Sequence, residues 1–258
     1  MNKLMSNGAG LEKIPSPKSQ IPNKSQTSSF KGISSGDHAR SLRRVGLKFG
    51  IWSLFGIWVL GFGISAHAAA LYQNNFTTNE VGKLPDEMLL LDGGFAVQEV
   101  AGNKVLQLPG APLETFGVLF GPTEASGLAV TARVQGTGKG RRFPTFAVGL
   151  NGVGGFKLQL SPAKKLVELV KGEEVVASAP FIWESGSWTM LRLQCRKVKD
   201  GEFKLEGKAW KQGDMEPKEW QISRVEATAS PAGRSSVWGM PFAGTPVKFD
   251  DLVVTRAQ

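Results

Sequence analysis

The fold is decided by residues 187–210, SWTMLRLQCRKVKDGEFKLEGKAW. Apolar and polar side chains alternate on both sides of a central turn. Leu191 and Leu193 alternate with charged and amide side chains, and the same pattern resumes at Phe203 and Leu205. A period of two is typical of antiparallel strands with one buried and one solvated face. The segment therefore predicts two neighbouring β-strands.

The turn between these strands is Lys199-Asp200-Gly201-Glu202. An Asp-Gly pair tolerates the positive φ angles of a tight primed turn, which makes it a strong hairpin signal. The sequence therefore predicts a β-hairpin with its tip at Asp200 and Gly201.

The same alternation extends outward from this hairpin. Residues 128–134 and 146–150 repeat it, and turn pairs such as Asp92-Gly93 and Asn151-Gly152 separate the runs. No stretch after residue 70 carries a capped helical stripe. About twelve to fourteen short strands fit into residues 71–258, without a repeat of fixed period. The prediction is one all-β domain, a two-sheet antiparallel sandwich or jelly roll.

Two of these strands resemble those of a known superfamily. Residues 186–193, GSWTMLRL, resemble the G-x-W-x-x-L-R-L strand of concanavalin A-like and laminin-G-like sandwiches. Residues 247–254, VKFDDLVV, resemble the closing strand of those domains, which often reads hydrophobic-D-D/N-hydrophobic. The resemblance implies a jelly-roll sandwich with an extracytoplasmic, often glycan-linked role. It does not imply an enzyme, because function belongs to sites and not to folds.

The charge of the chain is unevenly distributed. The net charge is +9, and nine Lys and Arg residues but only two acidic ones precede residue 71. Residues 1–45 are rich in Ser, Lys, Asn, Gly and Pro, so we predict a disordered basic leader. The domain that follows is close to neutral, and the basic whole-chain balance therefore does not predict a nucleic-acid partner.

Residues 46–70 form an uncharged apolar run after Arg43 and Arg44, apart from Lys48 at its start, and the run ends in Ala66-His67-Ala68. Basic flank, apolar run and A-x-A site predict a signal peptide cleaved near Ala68. The alternative is an uncleaved signal-anchor helix, since 22 residues from Phe49 to Ala70 can span a bilayer. A third interpretation places the true start near Val45. The first two predict an extracytoplasmic domain, either secreted or periplasmic, or membrane-anchored through residues 46–70.

Several kinds of chemistry are excluded by residue type. Both histidines, His38 and His67, precede residue 71, which excludes Ser-His-Asp and Cys-His catalysis and the usual zinc and blue-copper sites from the domain. The lone Cys195 excludes an intramolecular disulfide and is predicted to be a small buried apolar residue. We predict no cofactor beyond a structural calcium ion, which is discussed below.

Carboxylate pairs are the remaining catalytic option. Concanavalin-like glucanases carry a Glu-x-Asp-x-x-Glu pattern on one strand, which is absent here. The close pairs Asp200/Glu202 and Asp214/Glu216 fall in polar turns, where exposed acidic residues are common. We therefore assign no catalytic residue, and a carboxylate-dependent carbohydrate-active hydrolase stays as the alternative.

Two groups of side chains are candidate ligand-binding residues. Trp183 and Trp220 stand beside charged residues near turns, where flat rings stack on sugars or plug the end of a sandwich; Trp188 is predicted to be core. The glycine-rich stretch 136–142 presents Lys139, Arg141 and Arg142, either to an acidic polymer or as a flexible solvated connection.

Asp250 and Asp251 are the candidate metal ligands. Successive strand residues point to opposite faces, so one of the two carboxylates faces the core side. Calcium would compensate that charge, and so would a hydrogen bond from Arg, Lys or backbone amides.

The sequence thus favours an exported, non-catalytic β-sandwich that binds glycan or associates with the cell envelope. The alternatives are the carboxylate-dependent hydrolase and a structural or adhesion domain that contacts protein.

Overall fold

The computed structural model describes residues 69–228 and 230–258. The predicted leader and the greater part of the export or anchor segment lie outside these residues. The described part is built from fifteen β-strands in two antiparallel sheets and holds no helix. No helix that could cross a membrane occurs in this part of the chain. The strands are β1 (Ala70–Asn74), β2 (Leu89–Asp92), β3 (Ala96–Val100), β4 (Asn103–Leu108), β5 (Phe116–Glu124), β6 (Leu128–Gln135), β7 (Thr145–Leu150), β8 (Phe156–Ser161), β9 (Leu166–Lys171), β10 (Glu174–Pro180), β11 (Trp188–Lys199), β12 (Glu202–Lys211), β13 (Ile222–Glu226), β14 (Gly233–Met240) and β15 (Val247–Arg256).

The first sheet, sheet A, has eight strands in the order β13-β12-β11-β6-β15-β4-β3, with β1 also paired to β15. The second, sheet B, has seven in the order β10-β9-β8-β7-β14-β5-β2. This is the predicted two-sheet jelly-roll sandwich. The predicted hairpin is confirmed as well: β11 and β12 pair along their length, and Gly201 at the tip has a φ of 74°.

Strand β15 pairs with β6 on one side and with two strands in succession on the other. Its first half pairs with β4 through Phe249, and its second half pairs with β1 from Leu252 onward. Between them a β-bulge interrupts the pairing with β6, and Asp251 there has a φ of 47°. The bulge redirects the Asp250 and Asp251 carboxylates, and the site described below depends on it.

The core lies between the sheets and is filled by the inward residues of each alternating strand. Its largest fully buried side chains include Phe120, Phe146, Phe156 and Phe249. Cys195 belongs to this core, and its burial raises the pKa of the thiol to about 11. Burial of this apolar surface between two sheets is the main source of stability, at about 25 cal/mol per Å².

The prediction that Trp188 is a core residue is wrong. On β11 the buried, inward-pointing residues are Thr189, Leu191 and Leu193. Because successive strand residues point to opposite faces, Trp188 points to the outer face, and it is only partly buried. The outer face of sheet A therefore carries an aromatic ring where the sequence analysis expected a core residue.

The same outer face contains a buried carboxylate with three partners. Glu206 accepts hydrogen bonds from Gln194 at 2.8 Å and Arg196 at 3.0 Å, and the Lys204 ammonium lies 2.6 Å from its other oxygen. Burial would raise the pKa of Glu206, but the hydrogen bonds from Lys204, Gln194 and Arg196 outweigh that effect and hold the pKa below its ordinary value.

This carboxylate predicts a pH dependence of stability. Because the pKa of Glu206 is lower in the folded than in the unfolded state, its contribution is present at neutral pH and is lost as the pH falls through the folded-state pKa. We expect Glu206→Gln to cost roughly 1–3 kcal/mol at pH 7 and progressively less as the pH falls below the ordinary glutamate range, measured by urea unfolding. Glu202→Gln, which removes a carboxylate paired with the exposed Lys199 at the hairpin, is the control with a smaller effect. A loss that does not change with pH would contradict the assignment.

Candidate functional site

The candidate site lies on the outer face of sheet A and is assembled by the register of its central strands. In one row across β15, β6, β11 and β12, Asp250 stands opposite Arg133, Arg133 opposite Met190, and Met190 opposite Trp210. In the adjacent row Lys248 stands opposite Gln135, and Gln135 opposite Trp188. Residues far apart in the chain thus become neighbours on one surface.

A cleft of about 350 Å³ opens beside these rows, and we name it the Trp188 cleft. Its lining combines one indole ring, one guanidinium group, two amides and small apolar side chains. The lining residues are Val100, Ala101, Asn103, Val105, Arg133, Gln135 and Trp188. Its size matches the lower end of small-molecule pockets, and its mixture of aromatic and hydrogen-bonding groups is typical of them.

Arg133 is the electrostatic centre of the cleft. Its Nη2 donates to Asp250 Oδ2 at 2.5 Å, and its Nε lies 2.9 Å from Asp251 Oδ2. The guanidinium carbon also lies 4.8 Å from the centroid of the Trp188 ring, a cation–π distance. Arg133 therefore fixes the indole and both carboxylates relative to one another.

Asp250 is fully buried, and both of its oxygens accept hydrogen bonds. Besides Arg133, it accepts from Asn103 Nδ2 at 2.7 Å and from the backbone N–H of Asp251 at 2.7 Å. Asp251 is half exposed; burial raises the pKa of its carboxyl, although the Arg133 charge acts in the opposite direction. Asp250 is thus a structural anion, whereas Asp251 presents a carboxylate edge to solvent.

The charges of the two aspartates are already compensated by a protein side chain. Their charge is compensated by Arg133, whose positive charge would repel a cation, and Ca²⁺ needs six to eight oxygen ligands. No group of three or more His, Cys, Asp or Glu side chains suited to a metal occurs in residues 69–228 and 230–258. The geometry favours the arginine partner that the sequence analysis offered as the alternative route, and calcium at Asp250 and Asp251 stays a prediction of the sequence.

Trp183 lies at one end of the sandwich and packs against the core. Its ring meets Phe143 and Phe146 edge-on at centroid distances of 6.4 and 6.2 Å. This arrangement corresponds to the end plug that the sequence analysis gave as the alternative to sugar stacking. The interpretation of Trp183 as a stacking platform stays a prediction.

Trp220 lies on the outer face of sheet A but outside the Trp188 cleft. The loop between β12 and β13 places its ring 4.4 Å from the Lys208 ammonium. Lys208 donates to the carbonyl of Pro217 at 2.7 Å and pairs with Glu216 at 2.9 Å, and Arg192 also bonds Glu216. Glu216 thus fastens this loop to the sheet.

Of the predicted turn carboxylates, Asp200 pairs with Lys197 at the exposed hairpin tip.

Trp238 is the large aromatic residue on the outer face of sheet B, and its ring is covered. A Cβ added at Gly117 would come within 2.7 Å of the indole, so the ring lies directly on β5. The Lys157 ammonium stands 4.0 Å from the ring centroid, and the residue is only 7% exposed. Trp188 is the better platform because it borders an open cleft.

The glycine-rich stretch 136–142, which we name the basic loop, is fixed in place next to the Trp188 cleft. Lys139 and Arg142 form a two-bond backbone bridge at 2.9 and 3.1 Å. The Gly186 amide donates to the Gly136 carbonyl at 2.8 Å, and Gln135 Nε2 donates to the Gly186 carbonyl at 2.8 Å. Lys139, Arg141 and Arg142 are exposed. The alternative of an unattached flexible connection is thus not favoured.

The sequence analysis missed Asn103, Arg133, Gln135 and Trp188 as site residues. The outward parity of Trp188 was available from its spacing to Leu191 and Leu193. The partnership of Arg133 with Asp250 was not available, because it depends on β15 lying next to β6 across more than a hundred intervening residues.

Comparison with known proteins identifies the fold. No protein-family model matches the sequence, and no curated protein matches it. Among solved structures, the metal-free Emp46p carbohydrate recognition domain superposes with a TM-score of 0.51 at 13% identity, covering 72% of this chain and 95% of that one. A Bacillus subtilis protein of unknown function with a galectin-like fold gives 0.50 at 13% identity, covering 73% and 96%. The Emp47p carbohydrate recognition domain gives 0.50 at 9% identity, covering 75% and 99%.

These likenesses and the two antiparallel sheets define a class. The chain has the concanavalin A-like jelly-roll sandwich fold that the sequence resemblance implied. At such low sequence identity, the comparison shows the fold and gives no information about the site.

Proposed function

We propose that the domain is a non-catalytic glycan-binding module of an exported protein, and that it binds sugar in the Trp188 cleft. The observation that carries the proposal is the arrangement of an indole ring, two amides and a guanidinium fixed by two carboxylates around one open cleft. A sugar ring has an apolar face and a rim of hydroxyl groups. An aromatic platform beside fixed hydrogen-bonding groups recognises both.

Two further observations support this proposal. The Emp46p and Emp47p domains, which share the fold, are carbohydrate recognition domains. The predicted basic flank and apolar run before residue 71 agree with a protein that meets its ligand outside the cytoplasm, in the cell envelope or beyond.

The experiment is a glycan array with the full-length protein, followed by calorimetric titration of the glycans that bind. We expect Trp188→Ala to weaken binding by about 30-fold or more, because a central aromatic contact typically contributes at least 2 kcal/mol. Circular dichroism should be unchanged, since the side chain lies outside the core.

Trp220→Ala is the matched control on the same face of the sheet. It removes an indole whose described partner is Lys208 and which does not line the cleft, so we expect affinity to stay within about twofold of wild type. A loss confined to Trp220→Ala would move the site to Trp220, one of the two candidate stacking rings of the sequence analysis. Hydrolysis of a bound oligosaccharide that is lost in Asp251→Asn would make the protein an enzyme instead.

A further inference from the structure

The basic loop carries positive charge without a partner. Lys139, Arg141 and Arg142 are exposed, and none of them takes part in an ion pair within residues 69–228 and 230–258. The neighbouring turn contributes no net negative charge, because Glu184 is paired with Lys211. The basic loop thus presents three exposed cations within four residues, and no carboxylate of the described residues pairs with any of them.

The loop is held against the wall of the Trp188 cleft. Gln135 lines the cleft and is the last residue of β6, so the loop begins directly after it. The Gly186 backbone, two residues before Trp188, bonds both Gly136 and the Gln135 side chain. Ser185 Oγ accepts from the Gly138 amide at 2.9 Å, and Thr245 donates to the Thr137 carbonyl at 2.6 Å. The cations therefore stand at a defined place beside the cleft.

The Trp188 cleft and the basic loop differ in net charge, so they suit different parts of a ligand. In the cleft lining the only charged side chain is Arg133, and its charge is already matched by Asp250 and Asp251, so it offers no net positive charge to an anionic group on the ligand. On the basic loop the same group would meet only cations. Lys139 is four residues from Gln135, at most about 14 Å along an extended chain, so a short oligosaccharide can touch both surfaces.

We propose that the ligand is an anionic oligosaccharide, with one sugar on Trp188 and its carboxylate or sulfate groups on Lys139, Arg141 and Arg142. This inference rests on the proposed glycan-binding function and specifies its ligand class. Arginine suits such groups because its guanidinium donates two parallel hydrogen bonds to carboxylate or sulfate oxygens. Electrostatic attraction between exposed groups also makes the affinity sensitive to salt.

The test uses paired probes that share a backbone and differ in charge. A short oligogalacturonate is compared with its methyl ester, and a sulfated oligosaccharide with its unsulfated form, by calorimetry at 0.05 and 0.5 M salt. We expect the anionic member of one pair to bind at least tenfold more tightly at low salt, and to lose most of that advantage at high salt. The pair that shows the difference distinguishes uronate from sulfate as the source of the charge.

The variant Lys139→Gln/Arg141→Gln/Arg142→Gln should weaken the anionic probe by about tenfold and leave its neutral counterpart unchanged. A matched control, Lys197→Gln/Lys199→Gln/Arg256→Gln, removes three exposed cations toward the opposite end of sheet A, roughly 23 to 36 Å along the strands from Trp188, and should change neither probe. If both triple variants lose the same affinity for the anionic probe, net charge alone explains the effect and the inference is overturned.

The two proposals fail in different ways. Neutral and anionic probes that bind equally, with loss in Trp188→Ala and none in the basic-loop variant, would overturn the anionic ligand and leave the glycan-binding function standing. Salt-dependent binding lost in the basic-loop variant but unaffected by Trp188→Ala would overturn the joint site. No binding of any neutral or acidic glycan would overturn both proposals.

Discussion

Replacing Arg133 by methionine is expected to lower the free energy of unfolding by about 3–5 kcal/mol. The guanidinium is the only cation within ion-pair distance of Asp250 among the described residues, and that carboxylate side chain is 1% exposed. Removal of Arg133 therefore leaves a charge buried next to Asn103 with no counter-charge. Methionine preserves most of the side-chain volume, so the loss measures electrostatics and not a cavity. Urea unfolding at pH 7, followed by circular dichroism, gives the value.

A double variant separates the charge from the contact. With Asp250→Asn added to Arg133→Met, the buried charge is gone while the amide oxygen still accepts from Asn103, so much of the lost stability should return. Asp251→Asn alone should cost about 1 kcal/mol or less, because that carboxylate is half exposed. If the double variant is no more stable than Arg133→Met, the uncompensated charge is not the cause.

Truncation of Phe249 to alanine should cost about 3–5 kcal/mol. The side chain is fully buried between the sheets, and its ring packs 6.0 Å from the ring of Phe95. It points at Gly239 of the opposite sheet, where an added Cβ would lie 3.6 Å from the tip of the ring. The ring therefore reaches across the core into contact range of the opposite sheet, and alanine at residue 249 would leave a cavity between the sheets.

A graded series checks this interpretation. Phe249→Leu should lose clearly less than Phe249→Ala, because leucine refills part of the volume. Val253→Ala, on the same strand but outside the core cluster, should stay within about 0.5 kcal/mol of wild type. Chemical denaturation of the three variants decides the order. Equal losses for alanine at 249 and at 253 would mean that the sheets do not pack through Phe249.

Local pattern was enough to predict much of the fold. Alternation at Leu191, Leu193 and Phe203 depends only on neighbouring residues, and so does the Asp200-Gly201 turn; both are reproduced in β11 and β12. The same pattern also contains the true orientation of Trp188, but the prediction grouped the ring with the inward residues of the strand that it begins. Counting alternate residues back from Leu191 places Trp188 on the outer face.

The site itself depends on contacts that no local pattern encodes. Asp250 is compensated by Arg133 because β15 pairs with β6, and a β-bulge then turns Asp251 toward the same guanidinium. Strand order in an antiparallel sandwich is set by packing of the whole core, so the sequence alone left calcium, Arg, Lys and backbone amides as competing partners for the buried carboxylate. The predicted cations of the basic loop needed no such information, because exposed charge in a glycine-rich loop is visible residue by residue.

Because β1 pairs with β15, the two ends of the described domain lie close together. Ala70 stands directly opposite Thr255, so the first and last strands are adjacent neighbours, about 5 Å apart at their backbones. A short linker could join residue 69 to Gln258, and the exposed Asp200-Gly201 tip offers a place to cut. The resulting permuted chain would keep every strand and every contact of the Trp188 cleft, with new ends at the far end of β11. Such a chain could be attached to a surface or a reporter without blocking the ligand.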